Sequence, residues 1–444
     1  MDFGRSDDPR VQAQLDRLGA LSVPQGRLGL ETIRALMERL GNPHRKLPPV
    51  FHVAGTNGKG SVCAFLRAML EADGKRVHVT TSPHLVRYNE RIRVAGKLIE
   101  DGPLAELLEE VLDASEQGGE DLAPSFFEVT IASAFLAFSR TPADACVVEV
   151  GLGGRFDATN VLEPEALAAC GIAALGIDHE RFLLAPEEGV PEEPMARIAF
   201  EKAGIAKRGV PLVTMGYHYP QEAEREIEKA SKRSGAHHFP LGDANCGESW
   251  HCDDMNAELF YRESIHDELF LPAPAIPGEH QIFNAGLAIA MIRSQTNVRV
   301  GEAAFALGLR KARWPARMQL LSKGPLTVLV SDEKVWLDGG HNPSAGEAIA
   351  EAIVGPLHLV IGMLDNKNPW ALLDPLGDRV RTLQVVPVPD HDCHPAHAFG
   401  EDAVAREDLE DALLNVPSDG FPILIAGSLY LAGEALRLND EIPD

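Results

Sequence analysis

Cysteine is scarce in this sequence, and what there is does not pair. The six cysteines in 444 residues contain no CxxC spacing and make no disulfide framework. Cys246, His251 and Cys252 lie close together, but without a second ligand pair they read as a loop carrying two free thiols. Positive charge is in deficit as well. Lys and Arg number 41 against 66 Asp and Glu, a formal net charge of −25. Such a balance repels phosphate backbones and anionic lipid, so neither nucleic acid nor a membrane surface is expected as a partner. An anionic substrate would need a locally positive pocket. No apolar run approaches the ~18–20 residues of a membrane span. The N-terminal MDFGRSDDPRVQAQLDRLG is acidic and lacks the apolar centre of a signal peptide, so a cytoplasmic protein is expected. Internal repeats and low-complexity tracts are missing too.

What is present is an ordinary globular composition, 45% apolar and 24% charged, long enough for two to four domains at ~100–200 residues each. Short apolar runs alternate with helical stretches. Strands are expected at Pro49–Ala54, Arg76–Thr81, Asp144–Val150, Leu167–Leu175 and Val210–Thr214. A second series follows at Leu326–Val330, Val335–Leu337, Leu357–Ile361, Thr382–Val386 and Pro422–Ala426. Helices are expected between them, among them Gly29–Leu40, Ser61–Asp73, Phe127–Phe138, His280–Ser294, Ser344–Ile353, Glu401–Leu414 and Leu429–Leu438. This alternation predicts an α/β protein with mostly parallel sheets covered by helices. Asp243–Pro277 reads as a small hairpin excursion. Lys311–Met318 (KARWPARM) breaks a helix at Trp-Pro, which suits a boundary. Two domains are expected, 1–312 and 318–444.

The strongest chemical signal is Gly55-Thr56-Asn57-Gly58-Lys59-Gly60-Ser61, directly after the apolar run PVFHVA and directly before a helical pattern. Glycines let backbone N–H groups converge on phosphate oxygens, a helix N-terminus adds positive potential, and Lys59 brings a full charge. Ser61 opens the helix and suits a magnesium ion. Gly60 between Lys59 and Ser61 departs from the common G-x-x-x-x-G-K-[ST] form. Ser82 ends the next strand, where ligands of open α/β sheets gather; on its own it reads first as a turn residue before Pro83. Arg87, Arg91 and Arg93 make a local positive run. Glu149 closes a buried-looking strand just before the Gly-rich GLGG, and an apolar strand tolerates a carboxylate only when it is paired or metal-bound. A magnesium role beside the phosphates fits that place. Taken alone, His179 after a strand reads as structural and Lys202 in a helical Glu-Lys-Ala as solvated. Asp338, His341 and Asn342 in DGGHNP suit a nucleotide or substrate, and equally a helix start.

In order from residue 55 to 434 the chain carries GTNGKGS, TSPHLVRYNERIRV, SFFEVTIASAF, EVGLGGRFDATN, DHE, FEKAGI, GEHQIFNA, WPAR, DGGHNP, IGMLDNK and GSLYLAGE. This series resembles the folylpolyglutamate synthase family, in its bacterial bifunctional dihydrofolate synthase/folylpolyglutamate synthase form, within the ATP-dependent Mur ligase superfamily. The resemblance implies an N-terminal P-loop ATPase domain of the Mur central-domain type and a smaller C-terminal Rossmann-like domain. It implies ATP held by Thr56, Asn57, Gly58, Lys59, Gly60 and Ser61, with Asn284, Arg317 and Asp338. Magnesium would be held by Ser61, Ser82, Glu149 and His179, and by Lys202 carried as a carbamate. Lys59, Glu149, His179 and Lys202 would serve catalysis. Leu28, Gly29, Leu30, Ser125, Phe126, Phe127, Glu128 and Phe156 would face the pteroate or folate. His341 and Asn342 remain a polar candidate site in the second domain.

The implied reaction activates a carboxylate of dihydropteroate or a folate as an acyl phosphate, which the amino group of L-glutamate then attacks. A monomer that closes one domain on the other is expected. The runner-up readings are folylpolyglutamate synthase activity alone and a cell-wall Mur-type ligase acting on a UDP-sugar peptide. A nucleotide-binding regulator without ligation is a third. Two departures stand out. The family reads DHxxxLG before a short run to EKAGI, whereas here Leu184 takes the glycine position and Leu184–Ala199 is longer and acidic. Arg27 precedes Leu28 where relatives with both activities can carry aspartate.

Overall fold

Apolar runs of four to six residues become strands and the amphipathic stretches between them helices in the computed structural model of the chain. It describes residues 5–21, 29–117, 122–178, 180–244, 248–330 and 333–444. Arg27, Leu28, His179 and Cys246 lie outside the described residues. Two units result. One comprises Met1–Pro83, Tyr88–Ala275 and Gln281–Arg313, the other His84–Arg87, Ile276–His280 and Trp314–Asp444.

The first unit is built on eight strands: β1 (Val50–Ala54), β2 (Val77–Thr80), β3 (Ile92–Val94), β4 (Lys97–Leu98), β5 (Ala145–Glu149), β6 (Leu167–Ile172), β7 (Pro211–Thr214) and β8 (His237–Pro240). They lie in the order β4-β3-β2-β5-β1-β6-β7-β8. Every pairing is parallel except β2–β3 and β3–β4. β1, β5 and β6 are buried along their whole length, because a parallel sheet covered on both faces leaves no polar side to its central strands. The helices are α1 (Pro9–Gly19), α2 (Glu31–Arg39), α3 (Lys59–Ala72), α4 (Asp101–Glu116), α5 (Phe126–Arg140), α6 (Glu180–Leu183), α7 (Pro194–Lys202), α8 (Gln221–Ser234), α9 (His280–Arg293) and α10 (Glu302–Lys311). α9 is buried almost all round, from Gln281 and Ile282 to Ile292, which is how a helix without a polar face is accommodated. The excursion expected at Asp243–Pro277 carries a separate antiparallel sheet, in the order β11-β10-β9, of β9 (His251–Asp254), β10 (Glu258–Ser264) and β11 (Asp267–Pro272).

The second unit has β12 (Gln319–Leu320), β13 (Val335–Leu337), β14 (Leu357–Ile361), β15 (Val380–Val385), β16 (Ala403–Ala405) and β17 (Ile423–Ala426), ordered β12-β13-β17-β14-β15-β16. Only β12–β13 is antiparallel. Successive residues of β14 and β17 enter opposite cores. Val360, Ile423 and Ile425 join one cluster, whereas Leu359, Ile361 and Leu424 join the other. Helices α11 (Pro343–Ala352), α12 (Leu373–Leu376), α13 (Leu409–Leu414) and α14 (Leu429–Leu438) complete it. Both units are thus α/β with mostly parallel sheets.

Two expected elements differ. Leu326–Val330 is no strand, because Asn439 Oδ1 accepts from both Leu326 N (3.2 Å) and Thr327 N (3.1 Å). That draws the segment into a 3₁₀ turn at Thr327–Leu329. The helix expected over Glu401–Leu414 begins only at Leu409, capped by Asp408, because Ala403–Ala405 is taken up as a strand beside β15. Among the described residues no helix is long and apolar enough to cross a membrane.

Candidate active site

The loop between β1 and α3 is laid against the end of β6. Thr56 N and Asn57 N both donate to Ala174 O (2.8 and 3.1 Å), and Thr56 Oγ1 donates to Gly176 O at 2.8 Å. Lys59 Nζ donates to Thr56 O at 3.2 Å, curling the ammonium over its own loop. Gly58 is the N-cap of α3, with φ +80 and no side chain of its own to cap the helix end. The first-turn N–H groups of a helix have no intrahelical acceptor, so this end is electropositive and suited to an anion. A Cβ on Gly58 would lie 2.5 Å from Asn284 Oδ1, and Asn284 Nδ2 is itself held by Gln281 Oε1 at 3.0 Å. The loop and α9 therefore meet where only glycine fits.

Glu149 is the last residue of β5 and 4% exposed. β2 and β5 are sheet neighbours, so the turn after β2 arrives beside it, and Ser82 N donates to Glu149 Oε2 at 3.1 Å. Ser61 is buried in the first turn of α3. Lys202, also 4% exposed, ends α7, and its Nζ donates to Gly55 O at 2.8 Å, at the start of the same loop. Burial above all, and then the positive charge of Lys59, push the Lys202 amine down to about 7. This lysine is not solvated. Glu149, Ser82 and Lys202 are thus each tied by a hydrogen bond to the turn or loop beside it. Among the described residues no three His, Cys, Asp or Glu side chains group as metal ligands. His179 lies outside those residues.

The residues expected to face a pterin acid fall at the start of α5 and α2 and in the loop after β5. Ser125 and Glu128 form a reciprocal cap: Glu128 N donates to Ser125 Oγ, and Ser125 N donates to Glu128 Oε2 at 2.8 Å. A Cβ on Gly151 would lie 2.4 Å from the Phe127 ring, so glycine there lets α5 and this loop touch. Phe126 lies edge-on to Tyr88 (5.9 Å) and under the Arg91 guanidinium (5.3 Å). Phe156 lies beneath Arg155 at 4.2 Å. Leu30 is the buried N-cap of α2, with Gly29 before it.

In the second unit Asp338 follows β13, and both its oxygens are engaged. Met318 N donates to Oδ2 (2.8 Å) and Gly340 N to Oδ1 (2.7 Å). Arg317 Nη1 would lie 3.0 Å from a Cβ on Gly339. His341 Nδ1 lies 3.0 Å from Gly339 O, and Asn342 Oδ1 accepts from Ala345 N (2.9 Å) as the N-cap of α11.

Sequence reasoning left out Asp157 and a set of four ionic residues. Asp157 accepts from Leu152 N (2.8 Å), Thr159 N (3.0 Å) and Thr159 Oγ1 (2.5 Å), which folds the Gly-rich loop after β5 back on itself. Burial raises its carboxyl even so. Its place in GRFDAT was the available signal. Arg155, Glu187, Arg197 and Glu201 form an ion-pair ring, of which the i,i+4 spacing of Arg197 and Glu201 was legible.

No family model matches the sequence. Individual proteins do. A dihydrofolate synthase/folylpolyglutamate synthase of Bacillus subtilis is 35% identical over 344 residues, 73% of this chain and 72% of that protein. A longer protein of Halobacterium salinarum, named a probable bifunctional folylpolyglutamate synthase/dihydropteroate synthase, is 33% identical over 92% of this chain. The chain spans 49% of its length. Among solved structures, the E. coli FolC complex with DHPP and ADP matches with a TM-score of 0.81 at 28% identity over 97% of both chains. A bifunctional folylpolyglutamate synthase/dihydrofolate synthase with Mn, AMPPNP and L-glutamate bound matches with a TM-score of 0.80 at 27% identity, over 98% of this chain and 99% of that one. By descent as well as by fold, the chain belongs to the dihydrofolate synthase/folylpolyglutamate synthase family.

Proposed function

We propose that this protein is an ATP-dependent ligase that joins L-glutamate to dihydropteroate, giving dihydrofolate, and to the γ-carboxyl of folates. The observation that carries the reading is the convergence on one loop. The helix N-terminus that starts at Gly58, Lys59 and the buried Lys202 all belong to or touch residues 55–61. In this reading the first unit is a P-loop ATPase domain of Mur-ligase type and the second a Rossmann-like one. Thr56 to Ser61 hold the ATP phosphates, and Asn284 supports them.

The donors present suit a hard divalent cation, which prefers oxygen ligands. The Glu149 carboxylate and the hydroxyls of Ser61 and Ser82 are of that kind, with His179 as a further ligand. When bound, such a cation supplies charge neutralisation at the transferring phosphoryl group. Lys202 offers no oxygen as an ammonium. With its amine near 7 it is available unprotonated to form an N–C bond to carbon dioxide with loss of one proton, and the resulting carbamate would offer oxygen to such a cation. Lys202→Arg should then be inactive, with bicarbonate giving no rescue.

The chain's own residues supply the rest. Lys59 and the first-turn amides of α3 stabilise charge that builds on the γ-phosphate as the substrate carboxylate attacks it. The aromatic residues Phe126, Phe127 and Phe156 give a pterin ring an apolar face, with Leu28, Gly29 and Leu30 beside it. The resulting acyl phosphate is attacked by the glutamate amine, and phosphate leaves. The protein acts as a monomer in this reading. A glutamate-dependent ADP-release assay comparing dihydropteroate with tetrahydrofolate decides between the two acceptors; release with neither refutes the ligase.

A further inference from the structure

The segment before Lys202, residues 184–199, is strongly acidic, and one of its acids, Glu187, pairs with Arg155 and Arg197. Glu187 takes the Arg155 guanidinium in a two-point grip, Nη1 to Oε1 at 3.1 Å and Nη2 to Oε2 at 2.6 Å. The same Oε2 accepts from Arg197 Nη2 at 2.9 Å. Arg155 also grips Glu201 at two points (3.1 and 2.8 Å), and Arg197 lies 3.1 Å from Glu201. Two cations and two anions thus close a neutral ring, with Glu201 and Arg197 each 6% exposed at the side chain. Arg197 Nε is further fixed by Leu183 O at 3.0 Å. The Phe200 ring lies against the guanidiniums of both Arg155 (4.8 Å) and Arg197 (5.8 Å).

The ring joins two pieces of backbone that carry the proposed metal site. Arg155 belongs to the loop after β5, six residues beyond Glu149. Glu201 is the residue before Lys202. The two segments already touch at main-chain level: Arg155 N donates to Glu201 O at 2.8 Å, and a Cβ on Gly154 would lie 2.8 Å from Lys202 O. Main-chain contact sets the spacing, but a helix end can still roll about it. The ring prevents that roll, because bidentate arginine–carboxylate pairs are directional. Without Glu187, two guanidiniums would share the single carboxylate of Glu201, and their mutual repulsion would push Arg155 away from it.

We infer that Glu187 and Arg197 are positioning residues for the ligation. Through Arg155 and Glu201 they hold the end of α7 so that Lys202 stays at the start of the phosphate loop. The acidic segment therefore sets how tightly the site takes its divalent cation. This rests on the reading of Lys202 as a metal-site residue given above.

The test is Mn²⁺ binding to the full chain with ADP present, followed by the electron paramagnetic resonance signal of free Mn²⁺, alongside thermal unfolding and turnover. Glu187→Gln keeps size and polarity and removes the charge. It should weaken Mn²⁺ binding on the order of 10–100-fold, the usual effect of disturbing a residue that orients a metal ligand. Turnover should fall in step, with the KM for glutamate held. Glu187→Asp should recover much of the affinity. Unchanged Mn²⁺ affinity in Glu187→Gln, whatever happens to the unfolding temperature, overturns the inference. If Glu187→Gln does not fold, Arg197→Lys serves. It keeps the charge but loses the fork, and unchanged affinity there is equally fatal. Lys202→Ala separates the two levels. Wild-type Mn²⁺ affinity in that variant refutes the reading of Lys202 itself. Weakened binding in Lys202→Ala with none in Glu187→Gln refutes only the ring.

Discussion

Each unit has a strand that runs through a glycine-rich turn into a helix, and the two turns end differently. After β1 the turn reaches α3 through Gly58, which has no side chain to cap the helix end. After β13 the turn reaches α11 through Asn342, whose side chain accepts from Ala345 N, with Pro343 supplying no N–H at all. The first turn has no N-cap side chain to use its electropositive end, whereas the second spends that end on itself. The acidic residue of the second turn is spent as well, since both oxygens of Asp338 take backbone N–H groups. Sequences that look alike as loops therefore differ in structure: the second uses its polar side chains to hold its own shape, and the first has a glycine where such a cap would stand.

The largest effect should come from Lys59→Ala. Losing one preorganised charge at the transferring phosphate costs on the order of 10²–10³ in rate. Its unfolding temperature should hardly change, and normal ATP turnover in the folded variant would remove the contrast between the turns. Asp338→Asn should act in the opposite way. An amide NH₂ would face a backbone N–H, a loss of about 1–3 kcal/mol in stability, read from Trp336 fluorescence on denaturation.

Acid should separate the units further. His52 on β1 is fully buried, and burial first, then Lys207, pushes it down to about 3. Folded His52 stays neutral while the unfolded chain takes up a proton below ~6.5. Stability is therefore intact above that pH and falls as the pH drops toward 3, by about 1.4 kcal/mol per unit. His44, His78, His218 and His238, all lowered by burial, add to the same trend in the first unit. Acid unfolding should begin there, and His52→Asn should shallow the slope. Smallest is Asn342→Ala, which removes the cap of α11 at about 1 kcal/mol. It should show as earlier melting of the second unit by calorimetry.

Much of this was legible in the sequence, for reasons visible in particular residues. The buried parallel strands read clearly because runs such as Val50–Ala54 and Leu357–Ile361 have no polar side to blur them. The strand–turn–helix setting of GTNGKGS read clearly too, because its glycines directly follow an apolar run and directly precede a helical pattern. Long-range partners erased the rest. Leu326–Val330 has a strand's composition, but Asn439, more than a hundred residues away, captures its N–H groups. Ala403–Ala405 lies in a helix-favouring acidic stretch and becomes a strand only because β15 offers an edge. Lys202 looked solvated in Phe-Glu-Lys-Ala, since nothing nearby in sequence tells that Gly55 O waits 2.8 Å from its amine. The ion-pair ring was hidden for the same reason, as Arg155 and Glu187 are 32 positions apart.

The ends of the two main sheets bear on how the chain behaves in crowded solution. Outermost strands present open rows of N–H and C=O groups that can recruit another chain. Here the four outermost strands are β4 with two residues, β8 with four and a terminal proline, β12 with two and β16 with three. Proline cannot donate, and two or three residues give an incoming strand too few hydrogen bonds to offset its ordering. Parallel sheets form slowly and stay exposed while they form. Edges this short make the two main sheets poor templates for strand-by-strand aggregation during that interval.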